Sequence, residues 1–86
     1  MNIRKELIKR EIAGECFLIP VGRTVYDING LFALTEVGAF LWDRLQEARD
    51  AQELLQAVLE EYEADADTAA ADIAAFLEKL RSLEIL

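Results

Sequence analysis

The sequence predicts an α+β domain in which short antiparallel strands fill the first third and three helices fill the rest. Two observations predict this division. Short β-prone runs separated by Gly- and Pro-containing turns occupy residues 1–34, whereas apolar residues recur every three or four positions from residue 35 onward. A chain of 86 residues is expected to form a single domain over residues 1–86.

The first two strands are predicted to form a hairpin. Leu7 to Ala13 alternates imperfectly between apolar and polar residues, and Glu15 to Val21 is mostly apolar. Ala13-Gly14 offers the tight turn between them. Pro20 cannot donate a hydrogen bond to a ladder, so it is expected at a strand end or on an unpaired side.

Two more β-prone runs precede the helices, which makes three or four strands in all. Thr24 to Ile28 is expected to be the third strand. Asn29-Gly30, a strong hairpin signal, then leads into a short strand at Leu31 to Leu34. Thr35 ends that strand, because its hydroxyl can accept hydrogen bonds from the free N–H groups of a helix start.

Three helices are predicted after Thr35. The first runs from about Glu36 to Gln46, Asp50 is placed to cap the second, and Asp65 and Asp67 mark the start of a third that continues to the C-terminus. Gly38 lies in the first turn of the first helix, where glycine costs about 1 kcal/mol relative to alanine. A close approach by another helix or strand of the domain is the expected compensation.

The formal net charge of −8 is distributed unevenly. Residues 1–34 carry five basic and four acidic side chains, whereas residues 35–86 carry four basic and thirteen acidic ones. Such a helical surface repels phosphate backbones, so no nucleic-acid partner is expected. No apolar run approaches the ~20 residues that a membrane span requires, and no secretory segment opens the chain. A cytoplasmic location with no membrane partner is therefore expected.

Little in the composition favours catalysis. The chain has no histidine, which removes the commonest general base and metal ligand. Cys16 lies in an apolar run and is expected to be a small core residue. Asp65, Asp67 and Asp72 lack the glycine and the distal glutamate of a calcium loop, so they are interpreted as helix-cap and surface acids. We expect neither an enzyme nor a cofactor or metal site.

A small sheet joined to three helices is typical of winged helix-turn-helix domains, which bind DNA or a peptide. The acidic helical part favours a peptide, because DNA recognition requires lysine and arginine on the reading helix. A peptide reader requires an open sheet edge beside an apolar groove, which Leu31 to Leu34 and the third helix would supply. The alternatives are a winged-helix DNA-binding or transcription-associated domain, and a dimerisation module in which the open edge pairs with a second copy.

Two motifs carry a family resemblance. The run Leu-Thr-Glu-Val-Gly-Ala-Phe-Leu-Trp, residues 34–42, is similar to a signature of the coenzyme PQQ synthesis protein D family. The run Ala-Asp-Ile-Ala-Ala-Phe-Leu-Glu-Lys-Leu, residues 71–80, resembles the C-terminal helix of that family. The terminal Gly-Leu/Ile usual in the family stands here as Glu84-Ile85-Leu86.

The resemblance implies a winged helix-turn-helix-like recognition element for ribosomally synthesised, post-translationally modified peptides. Such a domain binds the leader of a precursor peptide as an added strand and presents the precursor to a modifying enzyme, often a radical SAM protein, as in PQQ biosynthesis. Transferred to this sequence, the peptide-binding residues are a strand and a groove wall: Leu31, Phe32, Ala33 and Leu34, with Asp72, Ile73, Phe76, Leu77 and Leu80.

Overall fold

The computed structural model describes all 86 residues and contains three strands, three long helices and one helical turn. The elements in chain order are β1 (Leu7–Ile12), β2 (Glu15–Pro20), α1 (Thr24–Asp27), β3 (Phe32–Leu34), α2 (Glu36–Leu45), α3 (Ala51–Glu61) and α4 (Ala66–Ser82). The strands form one antiparallel sheet in the order β1-β2-β3. The predicted α+β class is confirmed. No helix is both long enough and apolar enough to span a membrane.

The hairpin of β1 and β2 closes through the predicted two-residue turn. Ala13 and Gly14 have φ angles of 53° and 83°, and Ile12 pairs with Glu15 across the turn. Positive φ at both central residues is the requirement of a type I′ turn, whose twist matches that of the flanking strands. Pro20 is the last residue of β2, so its prediction at a strand end is confirmed.

The prediction of a strand at Thr24 to Ile28 is wrong, because this segment forms the helical turn α1. The Thr24 hydroxyl accepts a hydrogen bond from the Glu6 N–H at 2.8 Å, and the Thr24 carbonyl accepts one from the Ile28 N–H at 2.9 Å. These bonds outweigh the β propensity of a run that no neighbouring strand pairs. Asn29-Gly30 therefore links α1 to β3 instead of closing a hairpin, and the sheet has three strands.

The predicted caps form at Thr35 and Asp50, and of the two acids predicted at the start of the third helix Asp65 is the cap. Thr35, Asp50 and Asp65 each accept a hydrogen bond from the backbone N–H three residues ahead, at 3.0, 3.1 and 3.0 Å. Arg49 also donates to the Glu53 carboxylate from its backbone N–H at 2.9 Å and from Nε at 2.8 Å. These two hydrogen bonds hold the pKa of Glu53 below its usual value.

The core lies where the three long helices meet the inner face of the sheet. Leu18 is its one contribution from the strands, and the remaining members come from the helices and the segments that join or follow them. The buried apolar residues are Leu18, Ile28, Leu41, Trp42, Leu45, Ala48, Leu54, Val58, Ala69, Ile73, Leu77, Leu80 and Ile85.

Other elements pack against Gly38 as predicted, but at ordinary contact distances. A Cβ at this position would stand 3.6 Å from Leu34 Cδ2 and 3.7 Å from Phe76 Cε1, and its one tight neighbour would be Thr35 Oγ1, at 3.2 Å, in the cap of the same helix. The end of β3 and the side of α4 therefore meet over the first turn of α2.

Helix α4 ends in a Schellman motif. The Ile85 N–H donates to the Leu80 carbonyl at 2.8 Å, and the Glu84 N–H donates to the Arg81 carbonyl at 3.0 Å. Glu84 occupies the left-handed position of the motif, with φ of 60°. Its place in the chain is where the resembling family carries glycine, which adopts this conformation without a steric penalty.

Replacing Glu84 by glycine should therefore stabilise the protein. A non-glycine residue in the left-handed conformation costs roughly 1–2 kcal/mol, which the substitution would remove. Part of that stabilisation is offset, because glycine has a greater chain entropy in the unfolded state. We expect Glu84→Gly to raise the free energy of unfolding by about 0.5–1 kcal/mol in urea denaturation. The matched control Glu78→Gly, inside α4, should lower it by about 1 kcal/mol. Equal losses in both variants would contradict the strain at Glu84.

Leu77 should contribute to stability through full burial. Its side chain is 2% exposed, so truncation to alanine leaves a cavity in the core. We expect Leu77→Ala to lower the free energy of unfolding by about 2–5 kcal/mol. Leu59, which is 39% exposed on α3, provides a matched control that should lose less than about 1 kcal/mol. Unfolding followed by circular dichroism measures both, and a smaller loss for Leu77→Ala than for Leu59→Ala would refute this placement.

Candidate peptide-binding groove

Strand β3 forms one edge of the sheet. It pairs with β2 on one side, through Cys16 with Leu34, Phe17 with Ala33, and Leu18 with Phe32. No other backbone or side-chain hydrogen bond involves a backbone group of residues 31–34. The outer edge of β3 is therefore free to pair with another chain segment.

The alternation of hydrogen-bonded and non-bonded residue pairs in the sheet identifies which backbone groups point outward. In an antiparallel ladder, directly bonded pairs alternate with non-bonded pairs. The two-residue turn makes Ile12 and Glu15 a bonded pair, and the Val21 N–H donating to the Glu6 carbonyl at 3.1 Å continues the same phase. Odd-numbered residues of β2 consequently bond to β1, and even-numbered residues bond to β3.

It follows that Phe32 and Leu34 direct their N–H and C=O groups toward β2. Ala33, between them, directs its N–H and C=O groups to the free edge. Its side chain lies on the outer, exposed face of the sheet, opposite to the face on which Phe32 and Leu34 pack. An added antiparallel strand would exchange both of its hydrogen bonds with Ala33.

One stripe of α4 lies beside this edge. Asp72, Phe76 and Lys79 recur at spacings of four and three residues, which places them on one face of the helix. Phe76 reaches Gly38 at the start of α2, and Lys79 Nζ lies 5.1 Å from the centroid of the Phe32 ring. The stripe thus runs antiparallel to β3, with Lys79 beside the first residue of the strand and Asp72 beyond its last.

A surface cavity of about 390 Å³ lies between this stripe and the start of α2. It is mostly apolar and has one carboxylate in its wall. Its lining residues are Thr35, Val37, Gly38, Leu41, Asp72, Ala75 and Phe76. No residue of β3 lines it, so the cavity lies beyond the last residue of the strand, where it can take a side chain from an added strand that continues past Leu34.

The two charged groups of the stripe form no ion pair within the protein. Its three ion pairs are Lys5–Asp27, Lys9–Asp43 and Arg49–Glu53. Lys79 makes only the cation–π contact with Phe32, and Asp72 is exposed at the rim of the cavity. The groove therefore carries a positive charge at one end and a negative charge at the other.

The residues transferred from the family resemblance separate into three groups in the structure. Phe32, Leu34 and Phe76 are half-buried, and Ala33 and Asp72 are exposed, all at the edge or its facing stripe. Ile73, Leu77 and Leu80 are buried in the core, so they support the wall from behind. Leu31 precedes β3 and is 51% exposed beside a second cavity that it shares with Ile19 and Val25. Their participation in peptide binding stays a prediction.

Sequence reasoning missed Lys79 and the contribution of Thr35, Val37 and Ala75 to the groove. The spacing of Asp72, Phe76 and Lys79 was a usable signal, because positions 72, 76 and 79 share a helix face. Only the contact between Lys79 and Phe32 shows that this face is the one turned toward the strand.

Cys16 and the acidic side chains are the other groups that could take part in chemistry. No group of three or more Cys, Asp or Glu side chains could hold a metal ion. Cys16 is half-buried on β2, in register with Glu11 and Leu34, and is not among the core residues, so the prediction that it is a core residue is wrong.

Comparison with known proteins identifies the family. The family model described as Coenzyme PQQ synthesis protein D (PqqD) matches residues 15–86. The chain belongs to this family. Among solved structures, the PqqD-like fold is shared with TbiB1, described as in complex with the TbiA(beta) leader peptide. That match has a TM-score of 0.74 and 29% sequence identity, and it covers 100% of this chain and 94% of TbiB1. No curated protein matches the sequence.

Proposed function

We propose that this protein is a non-catalytic recognition element that binds the leader of a ribosomally made precursor peptide. The leader pairs with the free edge of β3 as a fourth strand, and its inward-facing side chains enter the groove beside Phe32 and Phe76. Backbone hydrogen bonds to Ala33 supply affinity independent of sequence, and the groove supplies selection.

The observation that carries this proposal is the coincidence of two features at one place. The outward N–H and C=O of Ala33 are unpaired, and the stripe of α4 contacts the same strand at Phe32 and lines an apolar cavity just past its last residue. The outer edge of β1 is also free, but Leu7 is the one residue of that strand that is not exposed. The likeness to TbiB1, a protein solved with a leader peptide, adds independent support.

A second copy of the chain is the competing occupant of the same edge. An unpaired strand edge can pair with the same edge of a second copy. Light scattering over a range of concentrations distinguishes the two occupants. A monomer that binds peptide supports the proposal, whereas a dimer that Ala33→Pro dissociates would favour self-association.

The free edge gives the sharpest test. Proline at position 33 removes an outward N–H without removing any bond to β2, so Ala33→Pro should fold. Loss of that hydrogen bond, together with the obstructing ring, should weaken binding at least about tenfold. The probes are synthetic leader segments of short reading frames encoded beside this chain, titrated by fluorescence anisotropy.

Glu11→Pro is the matched control for this substitution. By the same alternation, Glu11 directs its N–H to the outer edge of β1. We expect it to retain wild-type affinity, with circular dichroism confirming that both variants are folded. Equal affinities for wild type and Ala33→Pro would exclude β3 as the peptide-accepting edge.

We further propose that the bound precursor is presented to a modifying enzyme, often a radical SAM protein in this family. Tethering the precursor raises its effective concentration at the enzyme. Adding this protein should therefore accelerate modification of the full precursor by the enzyme encoded beside it, and should leave a leaderless core peptide unaffected. Mass spectrometry of the product measures both rates, and equal acceleration of the two substrates would contradict presentation through the leader.

A further inference from the structure

We propose that the groove selects a leader by two opposite charges: an acidic side chain placed beside Lys79 and a basic side chain placed beside Asp72. The inference rests on the proposed strand addition at β3. It assigns a specificity role to Lys79, which the family resemblance did not mark.

The position of the two charges follows from the contacts of α4. Lys79 Nζ is held over the Phe32 ring at 5.1 Å, at the first residue of β3. Asp72 lines the cavity together with Thr35 and Gly38, past the last residue of β3. A strand added at Ala33 would therefore pass Lys79 at one end and Asp72 at the other.

Both groups are free to pair with a ligand. Neither takes part in any of the three ion pairs of the protein, and neither side chain makes a hydrogen bond. Lys79 is one of only four basic residues in residues 35–86, and Arg44, Arg49 and Arg81 are the others. Arg44 lies over Phe40, Arg49 pairs with Glu53, and Arg81 lies on the side of α4 opposite to the stripe, so Lys79 is the one of the four at the groove.

The distance between Lys79 and Asp72 determines how far apart the acidic and basic side chains of the leader must be. Asp72 and Lys79 are seven positions apart, which is about 10 Å along the helix axis. Inward-facing positions of a strand recur every ~6.6 Å. Two such positions are therefore about 7 Å apart when two residues separate them in number and about 13 Å apart when four do, and the distance between Asp72 and Lys79 lies between these values. The side chain opposite Ala33 points to the other face and is not selected by this pair.

The order of the charges along the leader reports the direction of the added strand. An antiparallel strand passes Asp72 first, so its basic residue precedes its acidic residue. A parallel strand carries them in the reverse order. A leader with like charges at these positions would place one of them against a group of its own sign.

The test is a selection that assumes no particular leader. Random 12-residue peptides displayed on phage are enriched against immobilised wild-type protein, and sequences also enriched by Ala33→Pro are removed. The remaining sequences should carry one basic and one acidic residue, two or four positions apart. Lys79→Glu should change the acidic preference to a basic one at the same position, and Asp72→Lys should do the converse.

Matched controls separate local recognition from overall charge. Arg81→Glu and Glu78→Lys make the same changes of net charge on the same helix, but positions 78 and 81 lie on faces turned away from the stripe. Both should select the wild-type pattern. For one selected peptide, anisotropy should show a loss of about two- to fivefold for each charge removed, as expected of partly exposed ion pairs.

The outcomes distinguish this inference from the function on which it rests. Wild-type binders without a charge pattern, or the same pattern with Lys79→Glu, would overturn the charge selection and leave strand addition standing. A failure of the wild type to enrich any sequence beyond Ala33→Pro would overturn both.

Discussion

The alternation of hydrogen-bonded pairs across the sheet is the constraint on which the candidate site depends. The two-residue turn at Ala13 and Gly14 sets the phase of that alternation, since the residues flanking it must be a bonded pair. Each further residue of β2 then bonds alternately to β1 and β3. This alternation leaves Ala33 as the residue of β3 whose backbone polar groups face outward. The turn between β1 and β2 therefore determines where a strand can be added to β3.

Helix α4 has three faces with different surroundings. The face with Ile73 and Leu77 closes the core, and the adjacent stripe of Asp72, Phe76 and Lys79 faces β3. The third face is exposed and carries alanines and charged residues. Because the first two faces are only about 100° apart on a helix, the groove wall is held by the same packing that stabilises the domain. A rigid wall beside an edge that is already formed lowers the conformational cost of binding a peptide.

Local chemistry made much of the fold predictable. The caps at Thr35, Asp50 and Asp65 and the turn at Ala13 depend on a few neighbouring residues, and all four form as predicted. The segment at Thr24 failed because a hydrogen bond from Glu6, distant in sequence, decides its conformation. The edge position of β3 agrees with the requirement inferred for a peptide reader. Apolar periodicity could not separate the core face of α4 from the groove face, since both carry large apolar side chains at helical spacing.

Amide hydrogen exchange at Ala33 tests the central claim most directly. In the free protein, the Ala33 N–H should exchange much faster than those of Phe32 and Leu34, because only the latter two are bonded within the sheet. A leader peptide from a precursor encoded beside this chain should slow exchange at Ala33 and leave the outer edge of β1 unchanged. Protection of Ala33 in the free protein, or no change at Ala33 when the peptide is bound, would contradict strand addition at β3.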